Sequence, residues 1–159
     1  MDNKLDKRFI AQGKTKIVNA SVLAPENAGL RFILNVVGQD GKFTSPLSLI
    51  LAKRWAKVKE DNSYWYATQM NFKLGSLNET ATASDTWVIS MLVQDKTGKV
   101  DQKALQTAIK KVSEKAKYEK ASVHVSTLLT SAIPELQDLL ISGLVEQGVS
   151  VYFYNEPTK

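Results

Sequence analysis

A glycine-bounded loop ahead of a helix start is the strongest candidate for a ligand site in this sequence. The segment from Gly38 to Gly41 follows a short apolar run and leads through Lys42 and Phe43 into Ser45-Pro46. Ser followed by Pro is typical of a helix N-cap and the first helical position. A strand–loop–helix start offers backbone N–H groups and the positive end of a helix dipole to an anion. A plain turn before a capped helix explains the same residues, because two glycines are few for a phosphate cradle.

Two other patterns are similar to chemical sites but lack necessary parts. Gly13-Lys-Thr-Lys16 is similar to the end of a P-loop, but the first glycine of that motif is missing and no long apolar helix follows. His124 stands between two valines in a strand pattern. Without a second His, a Cys or neighbouring acids it is not a metal site, and we interpret it as a partly buried structural residue. A role in acid–base chemistry is the alternative.

A lysine-rich stretch suggests a different kind of partner. From Lys96 to Lys120 there are eight lysines and three acidic residues, so this stretch has a net charge of +5, equal to that of the whole chain. Lys103, Lys110 and Lys117 are seven residues apart and fall on the helix face opposite the apolar stripe. Either this face is simply solvated, or it binds nucleic acid or a protein partner. No aromatic residue interleaves with these lysines, which disfavours base stacking.

Length and composition predict an ordinary globular protein. The chain has 159 residues, of which 43% are hydrophobic and 23% charged, so we expect a single domain over 1–159 with 1–7 as a flexible extension. One His and no Cys exclude thiol catalysis, disulfides, iron–sulfur clusters and Cys-ligated zinc, and we expect no metal or cofactor. Residues 1–7 lack the apolar core of a signal peptide and no apolar run reaches about 18 residues. We therefore expect a cytoplasmic protein without a membrane partner.

Strand and helix patterns alternate along the chain. We predict strands at 31–37, 72–77, 86–93, 121–125 and 149–154, with a further strand at 8–12 and a partner at 16–18. We predict helices at 46–58, at 61–70, after the capping residue Asp101, and from Pro134 to Gly148. This alternation predicts an α/β sheet covered by helices on both faces. Ligands bind outside the carboxyl ends of strands in such sheets, so the loops 13–15, 38–45 and 126–134 are the predicted cleft.

The order of these segments resembles a macro domain, in particular the small stand-alone bacterial and phage members that bind or process ADP-ribose. Gly41-Lys-Phe43 and the segment 47–55 match a family stretch of glycine–any–aromatic followed by an apolar helix that ends basic-basic-Trp. Further matches to family strands are 72–75, 87–94, 121–125 and 148–152. The resemblance implies a three-layer α/β/α fold with a mixed central sheet, and ADP-ribose as the ligand.

The resemblance also implies ligand positions, and this sequence departs from the family at several of them. The family's Gly-Asp after the first strand, whose Asp accepts from the adenine amino group, is matched here by Gly13-Lys14. Glycines of the first loop are matched by Thr44 and Pro46, which narrows the backbone approach and removes an N–H donor. The second phosphate loop, 126–135, contains no glycine. Framework positions therefore agree with the family, whereas ligand positions do not.

Three hypotheses about function stay open. The favoured one is a divergent macro-domain module that binds through an altered ADP-ribose-type pocket, with little or no hydrolase activity. The second is a protein that binds ADP-ribose or a derivative and hydrolyses it, although the Lys and Asp of one hydrolase branch are matched by Gln94 and Ile133. The third is a module that acts through its basic surface. The candidate ligand-binding residues are Gly13, Lys14, Thr15, Gly38, Gln39, Asp40, Gly41, Lys42, Phe43, Thr127, Thr130 and Ser131.

Overall fold

A computed structural model describes residues 13–157 and shows a six-stranded sheet with helices on both faces. The strands are β1 Thr15–Val18, β2 Arg31–Gly38, β3 Leu77–Ala83, β4 Thr86–Gln94, β5 Ser122–Ser126 and β6 Val151–Tyr154. The α-helices are α1 Pro46–Arg54, α2 Ala56–Thr68, α3 Gln102–Glu119, α4 Thr127–Ala132 and α5 Leu136–Gly143. Within residues 13–157, none of the helices combines the length and apolar character needed to cross a bilayer.

The order of the strands across the sheet is β1-β6-β5-β2-β4-β3. Every pairing is parallel except that of β3 with β4, which is antiparallel. The sheet is therefore mixed, as the resemblance implied. The long strand β2 lies in the middle, between β4 and β5, and all of its residues after Arg31 are buried.

Side chains alternate between the two faces of the sheet, and each face has its own cover. Trp87 of β4 packs against Lys115 of α3, and Gly143 of α5 lies against Ile109 of α3, so these two helices cover one face. On the other face Asn35 of β2 bonds to α1, and β3 bonds to α2. The remainder of that face is covered by the segment 19–30, which follows β1.

Local signals predicted two helix starts correctly. Ser45 caps α1, since its Oγ accepts a hydrogen bond from the Ser48 N–H at 3.2 Å, and Pro46 is the first helical residue. Asp101 caps α3 in the same way, accepting from the N–H of Ala104 at 2.8 Å. The single helix predicted over 46–58 is wrong, because the backbone is extended at Trp55 (φ −138°, ψ 94°). The helix predicted over 61–70 is α2, which begins earlier, at Ala56, and ends at Thr68.

Other predicted boundaries also need correction. The strand predicted over 72–77 is wrong, since the ring of Phe72 packs edge-on against Trp65 of α2 with centroids 5.0 Å apart, and β3 begins only at Leu77. The last predicted helix begins at Leu136 rather than Pro134 and ends at Gly143, and a separate 3-10 turn, Val145–Gln147, ends at Gly148. Predicted strand 16–18 is confirmed as β1, whereas the predicted strand 8–12 and the extension 1–7 lie outside the described residues.

Candidate functional site

β2 and β5 are adjacent parallel strands, and the gap between the segments that follow their carboxyl ends is called the crevice below. After β2 the chain passes to α1, on the face where the Asn35 amide contacts Ser48 Oγ at 3.2 Å. After β5 it passes through α4 to α5, on the opposite face beside α3. Adjacent parallel strands whose connections leave to opposite faces create the switch point at which open α/β sheets bind ligands. The predicted segments 38–45 and 126–134 flank this crevice at the carboxyl ends of the strands.

The segment after β2 forms a tight turn. The Gly41 N–H donates to the carbonyl of Gly38 at 3.1 Å, and the carboxylate of Asp40 accepts from the Lys42 N–H at 3.0 Å. Phe43 is buried, so it anchors the turn, whereas the Lys42 side chain is exposed. Among residues 13–157 the ammonium group of Lys42 forms no ion pair, while the Asp40 carboxylate already has a hydrogen-bond partner.

The structure requires a glycine at position 41 for two reasons that the sequence alone did not indicate. Its φ is +76°, and a Cβ at this position would lie 2.5 Å from the ring of Tyr66. The Asn62 amide nitrogen also lies 3.5 Å from the Gly41 carbonyl oxygen. Gly41 is therefore required for the contact between the turn and α2. No local signal identifies Tyr66 or Asn62, because both are more than twenty residues along the chain from the turn they hold.

The predicted loop 126–134 is wrong in its conformation. Helix α4 begins immediately after β5, and Ser126 caps it by accepting from the N–H of Leu128 at 3.0 Å. Thr127 and Thr130 are half-buried and Ser131 is exposed, so their hydroxyl groups lie along a helix and not on an open loop. Burial of Leu129 stabilises this helix. The segment also contains no glycine, which favours a helix over a flexible loop.

A small cavity lies between α4, the start of α1 and the turn after β4. Its volume is about 160 Å³, below the range of about 300–1,000 Å³ of ordinary small-molecule sites. Gln94 and Ile133, which the resemblance matched to catalytic positions, both line it, together with Ser45 and Leu47. An amide and an alkyl group supply neither a nucleophile nor a base. This cavity is therefore a niche beside the crevice in which the two matched positions supply no group for covalent catalysis.

The carboxyl ends of β1 and β6 lie on the same side of the sheet as the crevice, and hydrogen bonds join the segments that follow these two strands. The Asn155 amide donates to Asn19 Oδ1 at 2.9 Å. The Glu156 carboxylate accepts from the Val22 N–H at 2.9 Å, and the Glu156 N–H lies 3.4 Å from Thr127 Oγ1. Glu156 therefore connects the segment after β1 with the start of α4. Neither Glu156 nor Asn155 was predicted as a site residue.

Gly13, Lys14 and Thr15 lie at the amino-terminal ends of the parallel strands, on the side of the sheet opposite to the crevice. They precede β1, and the Lys14 N–H donates to Ser150 Oγ at 3.0 Å, just before β6. Their grouping with the other two loops is therefore wrong. The strand whose carboxyl end reaches the crevice edge is 15–18, so the residues that follow it are Asn19 and Ala20. The matching of Lys14 to the family's adenine-binding Asp is wrong for the same reason.

His124 belongs to a closed hydrogen-bond network inside the sheet. Its Nδ1 lies 2.7 Å from Tyr154 Oη and its Nε2 lies 2.7 Å from Ser122 Oγ. Tyr154 Oη also accepts from the Glu26 N–H at 2.8 Å, so Glu26, Tyr154, His124 and Ser122 form one continuous chain of hydrogen bonds. Burial, helped by the charge of Arg31, lowers the pKa of His124 to about 3. His124 is thus a structural residue, and it is fully buried rather than partly buried as predicted. Within residues 13–157 no group of three or more His, Asp or Glu side chains is placed to hold a metal ion.

Comparison with known proteins gives a likeness in structure alone. No family model and no curated protein matches this sequence. A macrodomain protein from Streptomyces coelicolor has a TM-score of 0.82 at 23% identity, over 89% of this chain and 99% of that one. The macrodomain of Thermus aquaticus DarG has a TM-score of 0.67 at 14% identity, over 90% and 99%. Thermosipho africanus DarTG, solved in complex with ADP-ribose, has a TM-score of 0.69 at 13% identity, over 91% and 42%. The chain therefore has the macro-domain fold.

Proposed function

We propose that this chain is a binding module that takes an ADP-ribose-type ligand into the crevice between β2 and β5, with little or no hydrolase activity. The observation that carries this proposal is the switch point itself, where the connections of two adjacent parallel strands leave to opposite faces. The complex of Thermosipho africanus DarTG with ADP-ribose supports the choice of ligand, because that protein shares the fold.

The groups around the crevice favour an anionic ligand. Lys42 carries an exposed positive charge on the turn after β2. On the other side, α4 carries the predicted hydroxyl donors Thr127, Thr130 and Ser131, whereas its residues Leu128, Leu129 and Ala132 line the niche. A diphosphate between these two segments would accept hydrogen bonds from the hydroxyl groups and gain from the charge of Lys42. A pocket that lacks a glycine-rich cradle binds phosphate through side chains, so we expect weaker binding than a backbone cradle gives.

The carboxylates at this edge support binding rather than hydrolysis. Asp40 accepts from the Lys42 N–H, Asp95 accepts from the Thr97 and Lys99 N–H groups, and Glu156 accepts from Val22. The hydroxyl and N–H groups of Thr97, with the Lys99 N–H, hold the pKa of Asp95 below its usual value. His124 is neutral and enclosed. A general base must reach the water it activates, and these groups are already engaged.

Calorimetric titration with ADP-ribose tests the binding proposal. We expect one saturable site near micromolar affinity, about −8 kcal/mol, weakened several-fold by Lys42→Ala. Lys14→Ala is the matched control, because Lys14 is equally exposed but lies at the opposite edge of the sheet. A flat trace at millimolar ADP-ribose, or equal losses in the two variants, would contradict the proposal.

Incubation with an ADP-ribosylated protein tests the second part. We expect ligand binding without release of free ADP-ribose. Release of ADP-ribose that increases with protein concentration and is abolished by Asp40→Asn would instead support the hydrolase hypothesis, since Asp40 is the carboxylate within the turn after β2.

A further inference from the structure

The outer face of α3 carries most of the unbalanced charge of this chain. Lys103, Lys110, Lys111 and Lys117 are all exposed there and are called the lysine face below. The opposite side of the helix is buried against the sheet through residues that include Leu105, Ala108 and Val112. The lysines are thus held in a row by a helix that is itself fixed to the core, with about 10.5 Å between residues seven apart.

Acidic neighbours do not neutralise the lysine face. Within the described residues, the ion pairs of this helix involve only Lys115, which contacts Glu79 at 2.7 Å and Glu119 at 3.9 Å. Asp101 is engaged in capping Ala104. Glu114 is the one carboxylate left exposed on α3 within this range, and it forms no ion pair in the described part of the chain.

An exposed aromatic ring lies beside these lysines. Tyr118 is 86% exposed, follows Lys117 directly and is seven residues after Lys111, so it lies nearly in line with Lys111 along the helix. No aromatic residue lies on the 103/110/117 stripe itself, as predicted, but Tyr118 lies next to that stripe on the exposed side of the helix. A ring this exposed contributes little to the core, because its apolar area stays in water.

We propose that the lysine face and Tyr118 bind single-stranded nucleic acid. The lysines would contact successive phosphates, and the Tyr118 ring would stack on one base, which is the combination that sequence-tolerant single-strand binders use. An acidic polypeptide would match the charge but would leave the ring unused. A groove of about 350 Å³ between α3 and α5 is lined by Lys110, Lys117, Ser113 and Ser142, which offer further donors, and by the carboxylate of Glu114, which opposes them.

This surface is separate from the crevice. Helix α3 starts after the carboxyl end of β4 and runs back to the start of β5, so Tyr118 lies at the opposite edge of the sheet from Lys42. Binding here therefore does not depend on the function proposed for the crevice. A saturating amount of ADP-ribose should leave nucleic-acid binding unchanged, whether or not ADP-ribose binds.

Fluorescence anisotropy with a labelled 12-mer of oligo(dT) tests the proposal. We expect saturable binding at about 50 mM salt, with a slope of log K against log salt of about −2 for three phosphates. Tyr118→Ala should weaken binding roughly tenfold or more. Tyr64→Ala is the matched control, since Tyr64 is 70% exposed on α2, away from the lysine face. Glu114→Gln should tighten binding, because it removes the competing negative charge.

Four results would each overturn the proposal: no binding at 50 mM salt, equal effects of the two tyrosine substitutions, displacement of the oligonucleotide by ADP-ribose, or competition by polyglutamate as strong as that by unlabelled oligo(dT). The last result would identify the surface as one for acidic polypeptides. Circular dichroism of each variant verifies folding, and these exposed positions are expected to leave it intact.

Discussion

The face of the sheet that α3 and α5 cover differs from the face that α1, α2 and the segment 19–30 cover. On the first face the central strands present apolar side chains, among them Phe32, Leu34, Ile89, Met91, Val123 and Phe153. On the second face, apolar residues alternate along the sheet with buried polar groups, among them Asn35, Thr80, Thr86, Ser90, Ser122 and His124. The two faces therefore hold their covering layers by different interactions.

Directional bonds on the polar face connect the sheet to the segments that cover it. Asn35 and Ser45 both bond to Ser48, which sets the start of α1 and the end of the turn before it. Arg31 donates to the carbonyls of Pro25 and Asn27 at 3.1 Å and so holds the segment after β1. Apolar packing cannot specify such positions, since it is not directional. We infer that the apolar face supplies most of the stability, whereas the polar face orients the candidate site.

Leu34→Ala should have the largest effect. Leu34 is fully buried on the apolar face, so we expect a loss of about 2–5 kcal/mol in the free energy of unfolding. Urea unfolding followed by circular dichroism measures it. Leu49→Ala is the control, because Leu49 is exposed on α1 and should change stability by less than about 0.5 kcal/mol. Similar losses in both variants would contradict the inference that the apolar face supplies most of the stability.

Acidification should destabilise the polar face through His124. The folded state keeps this imidazole neutral to a pKa of about 3, whereas the unfolded chain binds a proton below about 6.5. The contribution of His124 to the free energy of unfolding is therefore fully present above about pH 6.5. It decreases as the pH falls, by up to about 1.4 kcal/mol per pH unit. Unfolding at pH 7 and pH 5 should differ by about 2 kcal/mol.

His124→Gln is the control for this pH effect, since His124 is the single His of the chain. The variant is less stable at pH 7 but should lose most of the difference between pH 7 and pH 5. An unchanged difference would assign the pH dependence to carboxylates instead.

Thr80→Val tests a single hydrogen bond on the polar face. Thr80 Oγ1 donates to the Asp61 carboxylate at 2.7 Å and joins β3 to α2. We expect a loss of about 1–2 kcal/mol, because the carboxylate loses a donor in a partly buried position. Thr80→Ser keeps the hydroxyl and should recover most of this loss. No difference between the two variants would mean that shape, not the bond, holds α2.

Lys115→Met should have the smallest effect. Lys115 lies at the rim of the apolar face, where its ammonium contacts Glu79 and lies 5.2 Å from the Trp87 ring centroid. We expect a loss of about 0.5–1 kcal/mol that decreases at high salt, since the pair is partly exposed. Lys111→Met, at a lysine without an ion pair in the described residues, should change stability less. A loss in the free energy of unfolding larger than that of Thr80→Val would mean that polar contacts matter more at the rim of the apolar face than on the polar face.

Several features of the fold could be predicted because short-range interactions determine them. Ser45-Pro46 and Asp101 mark helix starts through their own side chains, and the apolar run at 31–37 is long and β-branched enough to identify β2. The break at Trp55 was missed because the apolar spacing continues through it. Phe72 was assigned to a strand because its packing against Trp65 is a tertiary contact.

The sequence by itself determined the α/β class, the two segments that flank the crevice and the charge of α3. Only the tertiary structure decided which strand ends share an edge: it put Lys42 at the crevice and Lys14 at the opposite edge. It also brought Tyr66 to Gly41 and Glu156 to Val22, which are 134 residues apart. The physical reason is that a strand pattern reveals burial and not pairing order. The pairing order, which sets every neighbour at an edge, depends on contacts between distant parts of the chain.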